Sequence, residues 1–198
     1  MAQHGLPGLV LAAAAIMGSP GPSTLSATAM GAAFGVRRAL PYAAGLALGT
    51  GAVLVAVAAG VMAVLETVPK AASVLAAGSA AYVLYLAWRI GTAPALAGRQ
   101  AAGPAPSVAA GFLLAVANPK AWLAIGAVFA GHTLLPESPA RDTGAKLAVL
   151  GAMIVAIHLI WLLAGAGLAR VLGHPVLGRA VNIAMAAALV AAVALSLW

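Results

Sequence analysis

Two polar interruptions stand inside otherwise apolar stretches, Ser19-Pro20-Gly21-Pro22 and Asn118-Pro119-Lys120. Proline within a helix removes a backbone donor and clashes with the carbonyl one turn back, so each interruption frees backbone groups that an apolar surrounding cannot satisfy. Such breaks persist where protein or water satisfies the freed groups, and the helix ends they create offer partial charges to a zwitterion. The two breaks point to a substrate cavity between them. A pair of tolerated kinks is the bland alternative, and Pro-Gly-Pro matched by Asn-Pro-Lys weighs against it.

Lys120 sits so deep in its apolar run that either end is roughly 18 Å away along a helix axis. A lysine side chain does not snorkel that far, and placing the charge at mid-membrane costs about 2.5 to 3.5 kcal/mol. No carboxylate lies at that depth to pair with it. Its partner is either a carbonyl freed at the Pro-Gly-Pro break or the carboxylate of a substrate, and the first choice would make it a structural tie between the two broken helices. His158 is the only group at mid-depth whose unperturbed pKa lies near neutrality, which makes it a candidate for proton coupling; the alternative is an interhelical hydrogen bond. Ser23, Thr50 and Asn182 complete the polar set, each able to bind a substrate or another helix.

Catalysis and metal binding find little support. The chain has no cysteine, no mid-membrane Asp or Glu and no Ser-His pairing tied by motif, so an enzyme is not expected. His4, His132 and His174 share no ligand spacing with His158, so neither a metal nor a cofactor is expected.

These residues are positioned by long apolar segments. Of 198 residues, 64% are hydrophobic and 7% charged, against about 25% charged in an ordinary soluble domain. Apolar runs extend over residues 6–30, 39–65, 71–88, 107–131, 147–169 and 180–198, and each is long enough to cross a hydrocarbon core of about 30 Å. The expected fold is an all-α membrane protein of six transmembrane helices forming a single domain. No Lys or Arg precedes Arg37, so the first run is expected to be a retained helix rather than a signal peptide. The net charge of +7 comes from basic residues scattered singly or in pairs at the ends of apolar runs. That pattern suits anionic lipid as a partner and not nucleic acid.

Arg37, Arg38, Arg89, Arg99, Arg170 and Arg179 fall in loops of one side, while Glu66, Glu137 and Asp142 fall in loops of the other with Lys70, Arg141 and Lys146. The excess of arginine predicts that its side is cytoplasmic and that both termini lie outside a bacterial cytoplasmic (inner) membrane. Residues 91–106, with three prolines, form the expected cytoplasmic linker between a first half, 1–90, and a second half, 107–198. Three helices per half require the second half to enter the membrane the other way, as in an inverted repeat. The broken first and fourth helices correspond, as do Gly49-Thr50-Gly51 in the second and His158 in the fifth. Gly45, Gly49, Gly165 and Gly167 have the spacing of close helix packing, and small-residue faces leave room for a homodimer.

Several runs together resemble the LysE/RhtB family of amino-acid exporters over essentially the whole chain. They are Pro20-Gly21-Pro22, Gly35-Val36-Arg37-Arg38-Ala39, the run 45–49, Ala80 to Trp88, Gly111-Phe112, Asn118-Pro119-Lys120-Ala121, and Asn182. The resemblance implies efflux of amino acids or related small metabolites, driven by an ion gradient, with the two broken helices lining the path. Against the family pattern, Ser23 replaces a frequent Asn, Thr50 a frequent Asp, and His158 a frequent Asp three residues before Trp. The loss of both acids makes basic amino acids less expected as substrates and leaves His158 as the titratable group. A passive channel and a non-transporting membrane subunit are the competing readings.

Overall fold

Leu- and Ala-rich sequence favours helix, and proline, which needs no intrahelical donor in the first turn, fixes where the helices begin. The computed structural model of the chain describes residues 3–60, 77, 80–81, 84–85, 87–88, 91–92, 107–171 and 175–196. Helix α1, Leu6–Ile16, has Pro7 in its first turn. Helix α2, Pro22–Ala58, and helix α4, Pro119–Gly131, start on proline, as do α5, Pro139–Val171, and α6, Pro175–Ser196. Only α3, Val108–Ala117, starts otherwise, with the Ser107 hydroxyl accepting from Ala110 N at 3.2 Å. Two-residue strands, β1 (Gln3–His4) and β2 (His132–Thr133), pair in parallel and join the N-terminal end of the chain to the segment after α4.

The first expected span is therefore split into α1 and the start of α2, and the fourth into α3 and α4, which meet at 63°. Helix α2 is itself two arms. At Gly35 the backbone takes φ 70°, ψ 166°, a conformation open to a residue without Cβ. A straight helix would hold Ser23 and Thr50 about 40 Å apart, yet both line one cavity. The chain thus folds back at Gly35, and its second arm returns alongside the first.

Glycines lock these arms to the second half. A Cβ at Gly31 would strike the Leu162 carbonyl, one at Gly165 the Thr28 carbonyl, one at Gly45 the Val108 carbonyl and one at Gly111 the Tyr42 carbonyl. Absence of side chains lets these backbones touch, the packing that small residues allow in apolar helices. Gly167 was grouped with them on spacing, but nothing lies within 4 Å of its Cβ position. It lies two residues beyond Gly165, which at about 100° per residue turns it away from the contact face.

Two apolar clusters result. One gathers Ala27, Met30, Phe34, Tyr42, Leu46, Leu114, Leu162 and Leu189 at the Gly35 end. The other gathers Leu9, Ala13, Val53, Leu54, Ile125, Val128, Leu150 and Ile154 at the β1–β2 end. Large side chains remain on the outside, among them Leu48, Leu113, Leu123 and Ile160 at more than 60% exposure, as expected where lipid is the solvent.

Asp142 and Lys146 depart from the expected layout. They were assigned to a loop before a fifth span at 147, but α5 begins at Pro139 and buries both. Asp142 Oδ2 lies 2.9 Å from Lys146 Nζ, one turn on, and Oδ1 accepts from the amides of Leu134 and Leu135. Lys146 Nζ also donates to Phe129 O (3.0 Å) and His132 O (3.1 Å), and lies 4.2 Å from the centre of the Phe129 ring. Charges satisfied this completely are tolerated away from water, which lets the helix run on through them. The third expected span lies mostly outside the described residues, although 77, 80–81, 84–85, 87–88 and 91 are helical and Ala87 joins the Gly35-end cluster. The linker expected at 91–106 lies outside them after residue 92, as do Glu66, Lys70, Arg89 and Arg99.

Candidate functional site

The first break leaves carbonyls without helical partners, and side chains take those of Ile16, Gly18, Ser19 and Pro20. Ser19 Oγ donates to Ile16 O at 2.8 Å, and the Trp161 indole, from α5, donates to Gly18 O at 3.0 Å. Lys120 Nζ donates to Ser19 O (2.6 Å), Ser19 Oγ (2.8 Å) and Pro20 O (2.9 Å). An ammonium has three protons, and all three have an acceptor here. Gly21 is what admits the lysine, because a Cβ there would lie 2.6 Å from Lys120 Cδ and 2.9 Å from Nζ. The carbonyl partner expected for Lys120 is therefore present, and the lysine ties the second break to the first.

Asn118 organises the second break. Its backbone is extended at φ −77°, ψ 106°; its Oδ1 accepts from Lys120 N at 3.1 Å and so caps α4. Its Nδ2 donates to Ser23 Oγ at 2.8 Å, holding the first turn of α2 against the first turn of α4. Trp122 Nε1 takes the Val116 carbonyl at 2.8 Å. Two helix N-termini thus converge, each carrying a partial positive charge of roughly half an electron.

Beside this junction is a cavity of about 40 Å3, room for a few water molecules. Gly21, Ser23, Thr24, Thr50, Asn118, Lys120 and His158 give it polarity; Met17, Ala121, Ala124, Ile125, Ile154 and Ile157 complete the wall. Both halves contribute, and among the described residues no carboxylate lines it. Two of the residues that line it carry a buried polar atom with no hydrogen-bond partner, Thr50 Oγ1 and His158 Nε2. His158 Nδ1 lies 2.8 Å from Ile154 O. A carbonyl only accepts, so Nδ1 carries the proton and the neutral ring leaves a lone pair on Nε2.

Of the residues singled out from sequence, Gly21, Ser23, Thr50, Asn118, Lys120 and His158 meet in this one place. Pro20 lends a carbonyl to Lys120, and Pro22 and Pro119 begin the helices whose ends converge. Asn182 falls within α6, but its side chain lies outside the described residues. Sequence reasoning missed Ser19, Thr24 and Trp161 as parts of the site. Ser19 and Trp161 carried a signal: a hydroxyl inside the break, and an indole one turn past His158.

Residues 14–198 match the family described as LysE type translocator. The chain belongs to the LysE-type translocator family. It is similar to the cysteine/O-acetylserine efflux protein of Escherichia coli (strain K12), 32% identical over 174 residues that make up 87% of each chain. The protein of the same description from Salmonella typhimurium (strain LT2) is 32% identical over 175 residues, again 87% of each. No solved structure matches the chain. A translocator is a transport protein and not an enzyme, its substrate is a small molecule, and its apolar helices make it a multi-pass protein of the bacterial inner membrane.

Proposed function

We infer that this translocator exports small amino acids or related metabolites from the cytoplasm, through alternating access to the cavity between the two helix breaks. The observation that carries the reading is the convergence of both breaks, one from each half, on a single cavity lined by residues with buried, unpartnered polar atoms. Six spans arranged as two inverted three-helix halves, 1–90 and 107–198, are consistent with it. Spans one and five pack through Gly31 and Gly165, and spans two and four through Gly45 and Gly111. Exchanging the two halves exchanges these pairs. The Arg37-Arg38 turn would face the cytoplasm and the β1–β2 end the outside, with lipid, and a second copy in a homodimer, as neighbours.

The carboxylate of the substrate suits the converging helix N-termini and the Lys120 charge, and a proton gradient acting through His158 is the proposed driving force. The named activity of the relatives makes cysteine and O-acetylserine the first compounds to try. Purified protein in liposomes should accumulate one of them uphill when a pH gradient is imposed and not when it is collapsed. Movement only to equal concentrations would replace the exporter with a passive facilitator. No movement of any amino acid would leave a non-transporting subunit.

A further inference from the structure

Lys120 has all three donors engaged, and Asn118, Ser23 and Thr24 are bonded to one another or to backbone. Two polar atoms of the cavity remain unbonded, Thr50 Oγ1 on the second arm of α2 and His158 Nε2 on α5, in residues 6% and 4% exposed. A buried polar atom without a partner is costly, and one that lines a cavity is satisfied by whatever enters it. With Nδ1 committed to Ile154 O, Nε2 offers only a lone pair, and Thr50 offers a second acceptor. Sharing one small cavity with the positive helix ends, this pair suits the donor end of a zwitterion.

We propose that His158 Nε2 and Thr50 Oγ1 are the specificity-determining acceptors for the substrate ammonium, so that a substrate and a proton exclude one another at Nε2. The proposal rests on the exporter reading and deepens it. A proton arriving from the medium bonds to the Nε2 lone pair; the N–H···Nε2 hydrogen bond from the substrate breaks, and the substrate leaves with its own protons. The imidazolium returns its proton on the other side before the next substrate binds, giving one proton in for each zwitterion out. Among the described residues the cavity wall holds no carboxylate for a basic side chain, and its small size suits short uncharged ones.

The charged groups around His158 leave this competition to the one ring. Among the described residues, α4 contributes Lys120, turned into the first break. The arms of α2 contribute only the hydroxyls of Ser23, Thr24 and Thr50, and the end of α1 contributes Met17. Asp142 and Lys146, on α5 itself, lie beyond Leu150 and Ile154 and are closed on each other.

The test is binding of O-acetylserine and of N-acetylserine, which lacks the ammonium, to the detergent-purified full chain between pH 5.5 and 8. Below the ring's own pKa, O-acetylserine should weaken by up to about tenfold per pH unit, as one-proton competition requires, while N-acetylserine should bind more weakly and show no such slope. In His158→Gln, which keeps an acceptor but takes no proton, binding should lose its pH dependence. In Thr50→Val it should weaken about tenfold, the loss of one hydrogen bond, and keep the slope. The same slope in His158→Gln as in the wild type, or equal binding and equal slopes for the two acetylserines, would overturn the proposal alone. Should His158→Gln fail to fold, the two ligands on the wild type still decide. Failure of every amino acid to bind the wild type would overturn the exporter reading together with this one.

Discussion

The helices are packed by different means on the two sides of the cavity. Toward Gly35, backbones touch: Gly31 and Gly165 join α2 to α5, and Gly45, Gly49 and Gly111 join α2 to α3. Toward β1 and β2, among the described residues, Gly51, Gly131, Gly144 and Gly151 have nothing within 4 Å of their Cβ positions. That end is held by the side chains of Leu9, Val53, Ile125 and Leu150, the buried Asp142–Lys146 pair and a two-residue strand pairing. Backbone contact leaves no slack, since any added atom pushes helices apart. Side-chain packing tolerates small changes, but here it depends on the Asp142–Lys146 pair, which satisfies the amides and carbonyls around it.

The largest effect should come from breaking that pair. Asp142→Ala leaves Lys146 buried without its counter-ion and two amides without their acceptor, a loss of about 3 to 5 kcal/mol. It should appear as a large drop in the melting temperature in detergent, and adding Lys146→Met should recover part of it. Next comes Gly165→Ala, whose single methyl meets the Thr28 carbonyl and should cost about 1 to 3 kcal/mol as an overpacked contact. The smallest effect belongs to Gly151→Ala on the same helix. With open space at its Cβ position, it should be neutral or stabilising by up to about 1 kcal/mol through helix propensity. Equal effects at Gly151 and Gly165 would erase the contrast between the ends.

The breaks were legible because the consequences of proline are local: Pro20, Pro22 and Pro119 mark where helices stop and start whatever surrounds them. The depth of Lys120 and His158 in apolar runs was legible too, but sequence left Lys120 a choice between a freed carbonyl and a substrate carboxylate, and the carbonyls it meets lie about a hundred residues away along the chain. Asp142 and Lys146 were misread as loop charges, because composition shows charge but not the backbone groups that neutralise it. The reversal at Gly35 depends on one φ angle, and sequence offered only a turn between two spans. Ile154, Ile157 and Ala124 reach the cavity from apolar faces that look the same as those meeting lipid.

The cavity as substrate site is the central claim, and filling it is the most direct test. Ala124 is 6% exposed and lines the wall, so Ala124→Leu would occupy the space a ligand needs while keeping an apolar surface. The measurement is thermal stabilisation of the purified protein by cysteine or O-acetylserine, which grows with ligand concentration for a ligand that binds only the folded state. The wild type should be stabilised, and Ala124→Leu should melt cooperatively without ligand yet gain nothing from it. Equal stabilisation of the two proteins would put the binding site elsewhere.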